Sequence, residues 1–247
     1  MGLTPTNSAL FLDLDGTLID IAPGPDQVSV APGLPDLLQA LDHRLDGALV
    51  IVTGRPLSFV DGLLPGHGLT LVGLHGSQFR AGLRAAAQIP PLIFNLPEID
   101  LAALDRARTA ARQQAAPLPG VVFEEKGEAF ALHYRQAPDQ AGRVQTIMAG
   151  AAGIAGAGFA LRSGKCVIEL CPSGCDKGQA LKTLMRQTPF AGRRPVAVGD
   201  DLTDEAMFAA IPPMGGLSIG IGDRPSSADM TLTSPADLHL WLKGFLE

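Results

Sequence analysis

Apolar runs and helical patterns alternate along the first third of the chain. Residues 8–13 read as a buried strand, and Pro32-Gly33-Leu34-Pro35 introduces a helical pattern from Asp36 to Leu45. Ala48 to Thr53 and Leu69 to Gly73 are two further apolar runs. Strands this uniformly apolar are buried on both faces, and their alternation with helices predicts βαβ units and a parallel sheet.

The middle of the chain changes character. Pro90-Pro91 and Pro97 break the pattern, and a helix is predicted from Leu101 to Gln114. Val121 to Glu125 and Ala129 to Arg135 then alternate polar and apolar positions like half-buried strands, with a turn around Gly127. A helix over 139–151 and strands at Phe159-Ala160-Leu161 and Cys166 to Leu170 follow, giving an α+β segment of antiparallel character. After Pro172 the first rhythm returns: a helix from Lys177, a strand at Pro195, a helix from Thr203, strands near Leu217 and Met230, and a last helix. The predicted fold is therefore α/β, a Rossmann-like parallel-sheet core of residues 1–85 and 173–247 interrupted by an α+β cap of residues 86–172. Hinges are expected near 80–90 and 170–175.

Composition narrows the classes. At 247 residues with 46% hydrophobic and 18% charged positions, the chain can bury a sizeable core and is not a disordered polymer. A net charge of -6 without a basic run argues against nucleic acid as a partner. Cys166, Cys171 and Cys175 form no CxxC pair and are odd in number, so neither a zinc site nor a disulfide framework is expected. Met148 to Leu161 is too short to span a membrane, and Met1-Gly2 with Thr6 lacks the basic patch that would support a myristoyl anchor. With no secretory signal at the start, a cytoplasmic monomer is expected.

Two acidic clusters carry the chemistry. Phe11-Leu12-Asp13-Leu14-Asp15-Gly16-Thr17 and Val198-Gly199-Asp200-Asp201-Leu202-Thr203-Asp204-Glu205 each follow an apolar run. If their strands are neighbours in a parallel sheet, the carboxylates converge at its C-terminal edge, where open α/β sheets bind ligands. Converging carboxylates call for a cation, and oxygen-only donors favour Mg²⁺. Asp13 and Asp15 would share a face if the strand continued through them. One carboxylate can attack phosphorus, while a second moves protons to the leaving oxygen and from water. Thr53, ending its strand, can donate to a phosphoryl oxygen or cap the next helix. Lys177 lies in the first turn of a helix, where a cation opposes the helix dipole unless an anion binds there.

These four pieces, in this order, resemble the haloacid dehalogenase superfamily of phosphatases. The resemblance implies Asp13 as nucleophile, Asp15 as acid/base, and Thr53, Gly54 and Lys177 as the phosphate site. It implies Mg²⁺ held by Asp13, the Asp15 carbonyl and Asp200, with Asp201 or Asp204 assisting. It also implies a C2-type cap in the insert.

The wording of several segments resembles the trehalose-6-phosphate phosphatase family: Gly73-Leu74-His75-Gly76, Glu124-Glu125-Lys126-Gly127, Phe130-Ala131-Leu132-His133-Tyr134-Arg135, Lys165-Cys166-Val167-Ile168-Glu169 and Lys177-Gly178. This implies that His75, Gly76, Glu124, Lys126, Arg135, Lys165 and Glu169 hold a small sugar phosphate. The cap strands put charged groups on one face, which on pattern alone reads first as an ordinary solvated surface, while paired Glu and Lys side chains would also suit sugar hydroxyls. Cys171 departs from the family, which often has a basic residue there. The alternatives are the same chemistry on another ester, such as a sucrose or mannosylglycerate phosphate, a phosphomutase, or a silent sugar-phosphate-binding regulator.

Overall fold

The computed structural model describes residues 2–22, 24, 27–89, 99–223 and 226–246. Pro90, Pro91 and Pro97, read above as pattern breakers, and Met1 lie outside them. The chain forms two compact units, Met1–Phe94 with Asp176–Glu247, and Asn95–Cys175.

The first unit is built on strands β1 (Ser8–Leu12), β2 (Leu49–Val52) and β3 (Thr70–Gly73), with helices α1 (Leu34–Arg44) and α2 (Leu57–Leu63) between them. A short strand β4 (Gln78–Arg80) follows, which the sequence pattern did not reveal. Its three residues are only partly buried and too few to show a period.

The second unit inserts α3 (Leu101–Ala115), β5 (Val122–Glu125), β6 (Phe130–His133), α4 (Ala141–Ala155), β7 (Phe159–Gly164) and β8 (Val167–Pro172). The first unit then resumes with α5 (Lys177–Leu184), β9 (Arg194–Gly199), α6 (Glu205–Ala210), β10 (Leu217–Ile221), β11 (Met230–Leu232) and α7 (Pro235–Lys243).

The strand order of the first sheet is β11-β10-β9-β1-β2-β3-β4, parallel throughout except for the β3–β4 pair. β1 is central and every residue in it is buried, as its SALFL sequence requires. On one side Leu12 pairs with Ile51, and on the other with Val198. The chain leaves β1 toward β2 on one side and returns as β9 on the other. That reversal is a topological switch point, and it opens a crevice beyond the strands' C-terminal ends.

The second unit has its own sheet, order β5-β6-β8-β7, antiparallel throughout. Alternation along each strand divides its faces. Phe130, Leu132, Ile168 and Leu170 pack with Leu104, Ala107 and Ala111 of α3 and Val144, Met148 and Ala151 of α4 in a separate core. Glu124, His133 and Glu169 occupy the opposite face.

Candidate active site

Asp13 is the first residue after β1, and its N–H donates to Val198 O at 3.0 Å. The strand stops at Leu12, so the expectation that Asp13 and Asp15 share a strand face is not met. Gly16, at φ 81°, turns the chain, and the N–H groups of Leu18 and Ile19 close onto Leu14 O at 2.9 and 3.0 Å. The turn sends the two carboxylates to different partners.

Asp13 is buried and meets Lys177, whose Nζ donates to Oδ1 at 2.5 Å, and Thr17, whose hydroxyl donates to Oδ2 at 3.2 Å. Asp15 is received by Arg55: Nε donates to Oδ2 at 2.9 Å and Nη2 to Oδ1 at 2.8 Å. Such a two-pronged carboxylate pair fixes direction as well as position. The Arg55 guanidinium also lies 4.2 Å from the Phe59 ring centre, which braces it from α2.

The second acidic cluster starts where β9 ends. Asp204 is fully buried. Its Oδ1 accepts from Lys177 Nζ at 2.7 Å, while its Oδ2 accepts from the N–H groups of Asp200 and Asp201, both at 3.0 Å. Asp201 turns outward to cap the 3-10 turn Leu202–Asp204, accepting from Leu202 N at 2.7 Å.

Among the described residues, Asp13, Asp200 and Asp204 bring carboxylate oxygens within 4.8 Å of one another. Burial first, then repulsion from Asp204, lifts Asp13 well above the carboxylate range against the pull of Lys177. The same two causes lift Asp200 to about 7, with Asp201 adding to them. Burial alone would lower Lys177, but Asp13 and Asp204 outweigh it and hold the ammonium above its usual range. Two buried carboxylates and the half-buried Asp200, gathered around one ammonium, put more acidic groups in the site than Lys177 alone can balance. A hard divalent cation such as Mg²⁺ fits that donor set.

Lys177 opens α5, and Asp176 caps that helix by accepting from Gln179 N at 2.7 Å. Thr53 follows β2 and is buried. Its oxygen accepts from Arg55 N at 3.0 Å, and Pro56 is the N-cap of α2, with no side-chain cap bond, so Thr53 does not cap that helix. Among the described residues the Thr53 hydroxyl donates to no acceptor, so its hydrogen is available.

Gly54 lies under the His75 ring: a Cβ on Gly54 would sit 2.6 Å from His75 Nε2. His75 adopts a left-handed φ of 57°, and its N–H donates to Thr53 O at 3.0 Å. Gly76 backs onto Asp176, where a Cβ would sit 3.1 Å from the Asp176 carbonyl. Asp13, Asp15, Thr53, Gly54, His75, Gly76, Lys177, Asp200, Asp201 and Asp204 therefore all belong to the C-terminal edge of the first sheet and its following turns. Arg55 and Thr17 join them unforeseen. Their adjacency to Thr53-Gly54 and to Asp15-Gly16 was the available signal.

In the second unit, Lys126 Nζ donates to Glu169 Oε2 at 2.5 Å and lies 3.7 Å from Glu124 Oε2. His133 Nε2 is 2.6 Å from the same Glu124 oxygen. Lys126 and Glu169 are buried. Arg135 and Lys165 stand apart at the β7–β8 hairpin, both exposed, with Arg135 Nη2 donating to Lys165 O at 3.2 Å. Cys171 is buried, and Arg162 Nε donates to its Sγ at 3.0 Å. Burial, with Glu169 nearby, pushes this thiol up to about 11 and leaves it unreactive. No helix among the described residues is long and apolar enough to cross a membrane.

Residues 11–236 match the family model for trehalose-phosphatase. A probable trehalose-phosphate phosphatase of Sinorhizobium fredii is 42% identical over 87% of this chain and 78% of its own. The trehalose-6-phosphate phosphatase of Escherichia coli is 38% identical over 95% of this chain and 85% of its own. The C-terminal domain of the C. albicans trehalose-6-phosphate phosphatase superposes with a TM-score of 0.78 at 22% identity, covering 98% of this chain and 92% of that one, which shows a shared fold.

Proposed function

The chain belongs to the trehalose-phosphatase family of phosphomonoester hydrolases, and we propose that it releases phosphate from trehalose 6-phosphate, the last step of trehalose biosynthesis. The observation that carries the chemistry is the convergence of Asp13, Asp200 and Asp204 around Lys177 at the switch point of a parallel sheet.

In this reading an Asp13 oxygen attacks phosphorus, and the bond from phosphorus to the sugar C6 oxygen breaks. The Asp15 carboxyl gives its proton to that leaving oxygen. Asp15, now a carboxylate, takes a proton from water as the water attacks the phosphorus held on Asp13. Phosphate leaves and Asp13 is regenerated. Lys177, the Thr53 hydroxyl and the Gly54 backbone would hold the phosphoryl oxygens. Lys177 stands in the first turn of α5, so its charge and the helix amides favour the same anion. Mg²⁺, held by Asp13, Asp200 and Asp204, would offset the negative charge of the phosphoryl group when bound. Arg55 keeps Asp15 in one orientation, so that proton transfer needs no search of rotamers. The cap face carrying Glu124, Lys126 and Glu169, with paired donors and acceptors, suits sugar hydroxyls.

The test is free phosphate released from trehalose 6-phosphate, sucrose 6-phosphate and glucose 6-phosphate. Each is run with Mg²⁺, with chelator, and with Asp13→Asn. Release from the trehalose ester alone, dependent on Mg²⁺ and absent in the variant, is the expected result. Release from another ester would keep the chemistry and overturn the substrate. Normal turnover by Asp13→Asn would remove the nucleophile.

A further inference from the structure

Strand register in the second unit lines up one residue from each of its four strands. Glu124 of β5 pairs with Ala131 of β6, Ala131 with Glu169 of β8, and Glu169 with Arg162 of β7. Alternation along the strands puts these side chains on the face that also carries His133 and Cys171. Neighbouring strands lie about 4.8 Å apart, so the row runs about 14 Å from Glu124 to Arg162, long enough for a ligand of two sugar rings.

The charged groups are unevenly engaged. Lys126 closes on Glu169 at 2.5 Å and His133 on Glu124 at 2.6 Å. Arg162 donates through Nε to the Cys171 thiol, a weak acceptor, and its two terminal nitrogens donate to no group among the described residues. A guanidinium fork with both outer arms available is half-buried on a polar face, flanked along its own strand by the small residues Ala160 and Gly164. Cys171, the acceptor, belongs to the neighbouring strand β8, where it pairs with Ala160.

We propose that Arg162 is a sugar-binding and specificity-determining residue, donating from its terminal nitrogens to hydroxyls of the ring at the β7 end of the row. This rests on the trehalose 6-phosphate reading above. An Arg fork meets two neighbouring hydroxyl oxygens at once, whereas a lysine at the same place offers one point charge.

The experiment compares the wild type, Arg162→Ala, Arg162→Lys and the double variant Arg162→Ala with Cys171→Arg. Each is assayed on trehalose 6-phosphate and on a small aryl phosphate that lacks sugar hydroxyls, with thermal melts alongside. Arg162→Ala should raise KM for the sugar ester about tenfold or more and leave the aryl phosphate within about twofold. Arg162→Lys should fall between. Cys171→Arg should recover part of the loss, because it returns a guanidinium to the same spot. Equal losses on both substrates, or an unchanged KM for the sugar ester, would overturn the proposal, as would a double variant no better than the single one with the fold intact by melting. A wild type that turns over the aryl phosphate but not trehalose 6-phosphate would overturn the substrate reading first and this inference with it. A wild type active on the sugar ester whose KM ignores Arg162 would overturn this inference alone.

Discussion

Arg55 grips Asp15 with two nitrogens at 2.8 and 2.9 Å, and the two residues come from the turns that follow adjacent strands. The pair is partly sheltered, with Arg55 at 12% and Asp15 at 31% exposure, so it is more than a surface contact. A carboxylate held this way by its neighbour has its direction set before any ligand arrives.

Removing that grip should hurt turnover more than binding. Arg55→Ala is expected to lower kcat by about 10- to 100-fold with little change in KM, and Arg55→Lys, which keeps charge without the fork, should fall between. Steady-state kinetics on the preferred ester separate these cases. A variant altered only in KM would show that Arg55 binds substrate and does not position Asp15.

Magnesium should stabilise the fold through Asp200. At about 100 times its dissociation constant, a ligand bound only by the folded state adds about 2.7 kcal/mol. For a chain of this size that raises Tm by about 5–10 °C. Asp200→Asn should lose most of this shift. Asp201→Asn should keep it, because the Asp201 side chain is turned to Leu202 N. Differential scanning calorimetry with Mg²⁺ or chelator reads both, and a shift lost with Asp201 alone would exchange the two roles.

Glu124 should matter for the sugar and not for the phosphoryl group. It belongs to the face that pairs Glu124 with His133 and Lys126 with Glu169. Glu124→Ala is expected to cut kcat/KM on the disaccharide phosphate by about 10-fold or more while sparing a small aryl phosphate. Equal losses on the two would remove Glu124 from recognition.

Asp42 provides a pH signature in the core unit. It is 7% exposed, and burial raises it to about 6 against Arg84, which lies 3.5 Å away. The folded protein thus holds this proton more tightly than the unfolded chain, whose carboxyl has the ordinary value of 3.8. The stabilising contribution is complete below 3.8 and is lost as pH rises through about 6. Asp42→Asn should therefore match the wild type near about pH 4 and become more stable above about pH 6, by at most about 3 kcal/mol. Denaturant melts across this range check it. A constant difference would mean that Asp42 does not titrate there.

The alternation of apolar runs and helices carried the parallel core, and period-two patterning carried the polar face of the cap sheet, because both are properties of consecutive residues. The acidic clusters were legible for the same reason. Pairings across the chain were not. Asp15 with Arg55, and Asp204 with Lys177, depend on which strands become neighbours, and no local pattern encodes that. The shared face expected for Asp13 and Asp15 failed on a single residue: the strand ends at Leu12, and a glycine-led turn replaces the alternation. Arg162 was passed over because one arginine in a short strand reads as ordinary surface until the register places it opposite Glu169.

The place of β1 also sets the order in which this molecule is completed during synthesis. One of its edges pairs with β2, made soon afterwards, but the other waits for β9, with Ser8 finally meeting Arg194. The whole inserted unit must emerge from the ribosome in between. Until then the central strand keeps one open, apolar edge, the kind of surface that invites aggregation or chaperone binding. The insert has its own sheet and its own core, so it can fold during that wait. Asp200 and Asp204 join Asp13 only when β9 docks, so an unfinished chain carries Asp13 and Asp15 but not the complete carboxylate group.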